Sequence, residues 1–174
     1  MSALTNTPQN RNFLSPLNFK FSIKRAPNVN FFLQKVTVPS ISIPSLEIPT
    51  IFNPIPITYT HMEYGDFSIS FKIDEDFQNY LEIHNWIRAL GFPEQFEEHS
   101  AISKNPEYTG TGLTSDLSLV VLNSAKVPNY EFVFKNAFPT SLSEVDFDTS
   151  DEDVQYVTAR ATFRYMLFDI IKIR

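Results

Sequence analysis

The stretch that most constrains the fold runs from Asp66 to Pro93, DFSISFKIDEDFQNYLEIHNWIRALGFP. Phe67, Ile69, Phe71 and Ile73 alternate with Ser68, Ser70 and Lys72. A period of two marks a strand with one buried face. Then the period changes. Asp74-Glu75-Asp76 supplies the oxygens and negative charge that a helix N-terminus favours. Tyr80, Ile83, Ile87 and Leu90 follow at spacings of three and four, the stripe of an amphipathic helix that faces a sheet. Gly91 is placed to take a left-handed conformation past the last turn, and Pro93 forbids continuation. No other stretch agrees on helix in its start, stop and period, so one helix packed on β-structure is expected.

The rest of the composition fits a mainly β chain. Seventeen of the 174 residues are Phe, and Ile, Val and Thr are abundant, which favours strands. Four Gly against twelve Pro means that turns lean on Pro, Asn, Asp and Ser. Without Cys there is no disulfide, thiol nucleophile or thiolate metal site. No run approaches the length that spans a bilayer, and the start, MSALTNTPQNRNFLSPLN, has no apolar core of signal-peptide length. A soluble chain, made without a secretory signal and with no membrane partner, is expected.

The formal net charge is −6, which argues against general nucleic-acid binding as the main task. It is unevenly spread, at +4 over residues 1–60, −13 over 61–159 and +3 over 160–174. Solvated surface explains this, and so do opposed faces that meet in neighbouring copies.

In chain order, residues 1–17 read as a flexible arm and 18–174 as the β domain. Strands are expected over 18–24 and 30–38, with a turn at 25–28. Residues 39–56 carry Pro at 39, 44, 49, 54 and 56 among Ile41, Ile43, Leu46 and Ile48. Proline removes a ladder donor, so this segment is an edge or an extended arm whose apolar side chains need cover. Its own loops or another subunit could supply that. Strands are expected over 57–64, 117–123, 129–135 and 141–147, with a turn at 136–140 through Pro139. Residues 94–116 form a long polar connection, and 154–173 the last and longest strand.

Candidate chemistry is sparse. His61, His84 and His99 form no metal-binding spacing, and His84 reads as a packed residue at the edge of the core. Asp151-Glu152-Asp153 lacks the glycine and distal Glu of a calcium loop and reads as a solvated turn. Gly110-Thr111-Gly112 is too short for a phosphate loop. No nucleophile elbow occurs. Neither an enzyme nor a bound cofactor or metal is expected.

Several segments, in order, carry a resemblance: FKFSI, then FLQKVTVPSISIPSLEIPT, then the strand–helix unit with Trp86. NYEFVFKNAFPTSLSEVDFDTSDEDVQYVTARATFRYMLFDI closes the series. Together they resemble the tail tube proteins of contractile-tailed, T4-like bacteriophages, over roughly residues 18–170. Val36–Ile43 matches that family's early Pro-containing segment, and Asn136–Leu142 its late Pro-Thr turn. The resemblance implies a β-sandwich or small antiparallel barrel flanked by one helix. It implies hexameric rings, stacked into a DNA conduit inside a sheath on a baseplate, in a virion tail assembled in the host cytoplasm. A baseplate tube initiator, hub or tail terminator ring has the same fold. A monomeric β-barrel module for a small apolar ligand is the alternative of another class.

Residue-level expectations follow. Ile41, Ile43, Leu46 and Ile48 are expected at the subunit interface. A bore that passes DNA without specific binding should be polar or acidic, and Glu47, Glu63 and Asp66 are the candidates to face it.

Overall fold

The computed structural model describes residues 12–91, 112–148 and 156–173. The central strand–helix unit forms as its periods predict. β7 spans Phe67–Lys72, with Phe67, Ile69 and Phe71 buried. Asp74 then caps the helix α2, Gln78–Gly91. Its carboxylate accepts hydrogen bonds from the backbone N–H of Asn79 at 3.1 Å and of Gln78 at 3.3 Å. The buried Asn79 amide donates to the Lys72 carbonyl at 2.7 Å, tying helix start to strand end. These bonds satisfy N–H groups that no helical turn can reach.

The buried helix face is rotated from the expected stripe. Asn79, Ile83, Trp86 and Ala89 are buried, while Tyr80, Ile87 and Leu90 are half-buried flanks. Trp86 takes the centre because its ring is large and its N–H finds a partner, the Leu113 carbonyl at 2.8 Å. His84 lies exposed beside Tyr80 rather than packed at the core edge. Gly91 is still helical, and of the described glycines only Gly112 has positive φ.

Two antiparallel four-stranded sheets face each other. One contains β1 (Phe19–Ile23), β8 (Ser115–Leu122), the first part of β9 (Pro128–Leu142) and β11 (Leu167–Lys172). The other contains the end of β9, β10 (Thr158–Arg164), β7 and β2 (Leu33–Thr37). The path is open, ending on β1 and β2, so the architecture is a sandwich. Phe67 of one sheet packs on Phe21 and Phe134 of the other, with ring centroids 5.6 and 4.5 Å apart. α2 covers one end, where Trp86 lies 6.0 Å from Phe163.

One residue makes the corner between the sheets. The expected turn at 136–140 is instead a bend inside β9, which runs unbroken for fifteen residues. Asn136 has φ 53°, a left-handed conformation that Asn tolerates, and its N–H donates to Asp116 at 3.0 Å. Pro139 fits beyond the bend because the end of β9 is an edge of its sheet, where the missing N–H costs no ladder bond. The partner strand breaks to follow. The expected single strand over 154–173 is two strands, β10 and β11, split at Tyr165–Met166.

Other expectations change locally. Residues 27–32 form a short helix, α1 (Pro27–Phe32), where a turn and the start of a strand were expected. Pro27 is pre-set for a first helical turn, and Val29 buries beneath it. The Asn30 side chain turns back to accept from the Ile23 N–H at 2.8 Å and donate to its carbonyl at 3.0 Å, tying α1 to the end of β1. β9 ends at Leu142, and 143–147 carries no strand. Residues 1–11 of the expected arm, most of the 94–116 connection, His99, and the acidic turn at 151–153 lie outside the described residues.

Candidate assembly surface

Between β2 and β7 the chain leaves the sandwich. β3 (Ile41–Ser42) pairs with β6 (Glu63–Tyr64), and β4 (Ser45–Ile48) with β5 (Ile55–Thr58). Residues 39–64 thus make a two-stranded arm that prolongs the β2–β7 pair. The expected strand over 57–64 is interrupted, ending at Thr58 and resuming at Glu63. Prolines divide the arm into short ladders, because each lacks the donor that would continue one.

The register gives the arm two unlike faces. Leu46 sits opposite Ile57 and Ile48 opposite Ile55, so one face is wholly apolar. Ser45 sits opposite Thr58 and Glu47 opposite Pro56 on the other. Every residue of β4 and β5 is exposed. At the tip, Ile51 and Phe52 are 95% and 92% exposed. A lone two-stranded ribbon is marginal in water, and a continuous apolar face adds the cost of hydrating it. The four expected interface residues Ile41, Ile43, Leu46 and Ile48 are all on this arm and all exposed.

The root of the arm is anchored. The Gly65 N–H donates to the Ser40 carbonyl at 2.9 Å, and the Tyr165 hydroxyl donates to the Gly65 carbonyl at 3.0 Å. A Cβ at Gly65 would meet Ser40 Oγ at 2.7 Å and the Ser40 backbone N at 3.2 Å, so a larger residue would push the Ser40 hydroxyl aside and crowd its backbone. Tyr64 packs edge-on against Tyr165 and Phe168. Burial, with Tyr64 and Asp66 nearby, pushes the Tyr165 phenol up to about 12 from its ordinary 10. An unfolded phenol ionises first, so the stability that Tyr165 contributes is present below pH 10 and lost as pH rises through about 12. Thermal melts should fall over that window, and fall less for Tyr165→Phe. Parallel declines in the two proteins would rule this assignment out.

The three acids expected at a bore are exposed, and two of them, Glu47 and Glu63, stand on the arm. Asp66 precedes β7 and forms an ion pair with Arg164, 2.9 Å from Nε. The outward face of the β2–β7–β10–β9 sheet has a different character. Thr37, Ser70, Thr158, Thr162 and Ser141 give it a field of hydroxyls, with Ser68 buried and accepting from Arg160 at 3.0 Å. Lys35, Lys72, Arg160 and Arg164 rise from the same face. Its base spacing was legible in the alternation Thr158, Arg160, Thr162, Arg164. That β2 and β7 add Lys35 and Lys72 beside them was not.

Two apolar features were not foreshadowed by the sequence. Phe13 and Leu14 border an open groove of about 560 Å³ with the β8–β9 turn, near Val121 and Tyr130. Ile170 and Ile171 are exposed on β11. Among the described residues no cluster of acids and histidines is placed to hold a metal ion. No described helix is long and apolar enough to cross a membrane.

Comparison with known proteins bears on this arrangement. A family model described as phage tail tube protein matches residues 5–170. No curated protein sequence matches. Solved structures share the fold at low identity. A chain of the anti-feeding prophage cap, which terminates that particle's tube, superposes with TM-score 0.61 at 14% identity, covering 99% of each chain. A chain of the same prophage's baseplate gives 0.59 at 13%, covering 90% of this chain and 92% of that one. A chain of an extracellular contractile injection system's sheath–tube complex gives 0.58 at 13%, covering 94% of each.

Proposed function

The chain belongs to the phage tail tube protein family, and from that premise we propose that it forms hexameric rings, stacked as a tail tube or closing one of its ends. Its role is structural rather than catalytic, in a virion tail. The observation that carries the ring is the amphipathic arm, whose apolar face no described part of its own chain covers. A neighbouring copy covers Ile41, Ile43, Leu46 and Ile48. Such a contact joins unlike surfaces, the kind that generates rings or stacks. Sheath and baseplate proteins are the outer partners, DNA passes through the bore without specific binding, and assembly takes place in the host cytoplasm.

The bore is formed by the sheet that contains β7, with Glu47, Glu63 and Asp66 along it. Asp66 contributes little negative charge there because Arg164 pairs with it. Residues 1–17 act as an arm and 18–174 as the tube domain. A ring at a tube end, such as a baseplate initiator, hub or terminator, is supported by likenesses to cap and baseplate chains as good as that to the tube complex.

Native mass spectrometry tests the ring. The expected species has six times the 20.0 kDa chain mass, and electron micrographs should show rings or tubes. A monomer at all concentrations would discard the ring in favour of a free-standing module.

A further inference from the structure

The core-facing side of the β1–β8–β9–β11 sheet runs on past the end of the sandwich. Leu119 pairs with Phe132 and Val121 with Tyr130, on the same side as the buried Leu117 and Phe134. Past Leu119 that side loses its cover. Tyr130 is exposed, and so is Ile170, opposite Phe132 on β11. What remains is the open groove of about 560 Å³, walled by Val38 just past β2 and by Phe13 and Leu14. No charged side chain lines it. Its volume is that of a pocket able to enclose a small apolar group.

The arm starts at this groove and ends far from it. At about 3.3 Å per residue, the run from Val38 to Phe52 carries the tip up to roughly 45 Å from its root. No arm residue beyond Val38 lines the groove. The tip is a preformed knob. The Thr50 hydroxyl accepts a hydrogen bond from the Asn53 N–H at 3.2 Å and donates to the Asn53 carbonyl, closing the turn that presents Ile51 and Phe52. Pro49 and Pro54 flank this turn and restrict its backbone, and it too carries no charge.

We propose that the arm tip of one copy seats Ile51 and Phe52 in the groove at the arm root of the next copy. A knob and a hole set apart on one chain join copies head to tail. Each copy gives one tip and takes one, as a closed ring or a stack of rings requires. Two uncharged, apolar surfaces meet, and each takes from water what the other leaves exposed. Because the turn is already closed, docking loses less ordering entropy. The proposal rests on the ring reading and deepens it by naming where on the neighbour the arm ends.

The chain has no Cys, so introduced cysteines report the contact without background. Full-length Phe52→Cys and Ala125→Cys chains are co-expressed, treated with a short bismaleimide and resolved under denaturing conditions. Ala125 is exposed on the groove rim. Linked dimer is expected at least about tenfold above that from Phe52→Cys with Leu81→Cys, exposed on α2, because docking holds the first pair at a high effective concentration. The double variant Phe52→Cys/Ala125→Cys should give a ladder of covalent multimers. Ile51→Ser/Phe52→Ser should keep its fold, since both side chains are exposed. It should raise the dissociation constant of assembly by at least about tenfold, as loss of a buried aromatic anchor does. A linked yield no higher than the control overturns the proposal, and so does unchanged assembly by the serine variant. Tip-to-tip dimers of Phe52→Cys alone in greater yield also overturn it. So does a double variant linked only within its own chain, which would seat the tip in its own groove. Native mass spectra of the same samples separate the two readings. Rings without the tip-to-groove link remove only this proposal and leave the groove to another occupant. Linked copies that do not close into rings remove only the ring.

Discussion

Trp86→Ala is expected to lower the folding stability by about 3–5 kcal/mol, the range for deleting a large buried aromatic side chain. Trp86 is 2% exposed, and its ring fills the gap between α2 and the sandwich beside Phe163. Its removal also leaves the Leu113 carbonyl without the indole donor and takes away the ring whose centroid lies 4.9 Å from the Arg25 guanidinium. Ile87→Ala, half-buried on the flank of the same helix, should cost markedly less. Urea denaturation followed by circular dichroism measures both, since the chain's one Trp is the residue removed. An equal or larger loss for Ile87→Ala would mean that the helix faces the sheet along the other stripe.

Ile43→Asp/Leu46→Asp should abolish assembly and leave a folded monomer. Both residues are exposed on the arm, and neither belongs to the core cluster around Phe67, Phe71 and Phe163. Their replacement leaves the packing of the sandwich intact, so the monomer should keep a cooperative melt, lowered only by the loss of the subunit contact that stabilises the assembled wild type. In a ring, the same change would drive two carboxylates into an apolar contact, which costs several kcal/mol per interface unless they are paired. Light scattering after gel filtration reads the assembly, and circular dichroism reads the fold. A double variant that unfolds would place these side chains in the protein's own core. One that still forms rings would move the interface elsewhere.

The charge pattern shows how a sum along the chain differs from one over a surface. Residues 61–159 carry a strong acidic excess, which invites the expectation of an acidic wall. Yet the outward positions of β7 within that block are Ser68, Ser70 and Lys72, and antiparallel pairing sets them against Arg160 and Lys35 from the basic ends of the chain. Of the block's described acids, Asp66 pairs with Arg164 at the sheet's edge, Asp74 caps the helix and Glu82 lies against α1. Strand pairing thus decides which charges become neighbours, and pairing over such separations leaves no local trace.

What the sequence determined by itself is whatever local periodicity and capping chemistry dictate. Alternation marked β1 and β7, because a sheet with one dry face demands period two, and apolar runs marked β8 and the first part of β9. Asp74 fixed the start of α2, because the orphan N–H groups of a first turn need an acceptor. Prolines at intervals of five or fewer marked 39–56 as an edge or an extended arm rather than a central strand, and the tertiary structure made it an arm. The tertiary structure alone decided that Asn136 bends β9 into two sheets, since Asn at positive φ looks in sequence like an ordinary turn. It decided that residues 27–32 coil, because the Asn30 side chain finds Ile23 across a turn. It rotated α2 about Trp86, because a helix buries the face that fits the cavity beneath it, and that cavity is shaped by Phe163 from the far end of the chain.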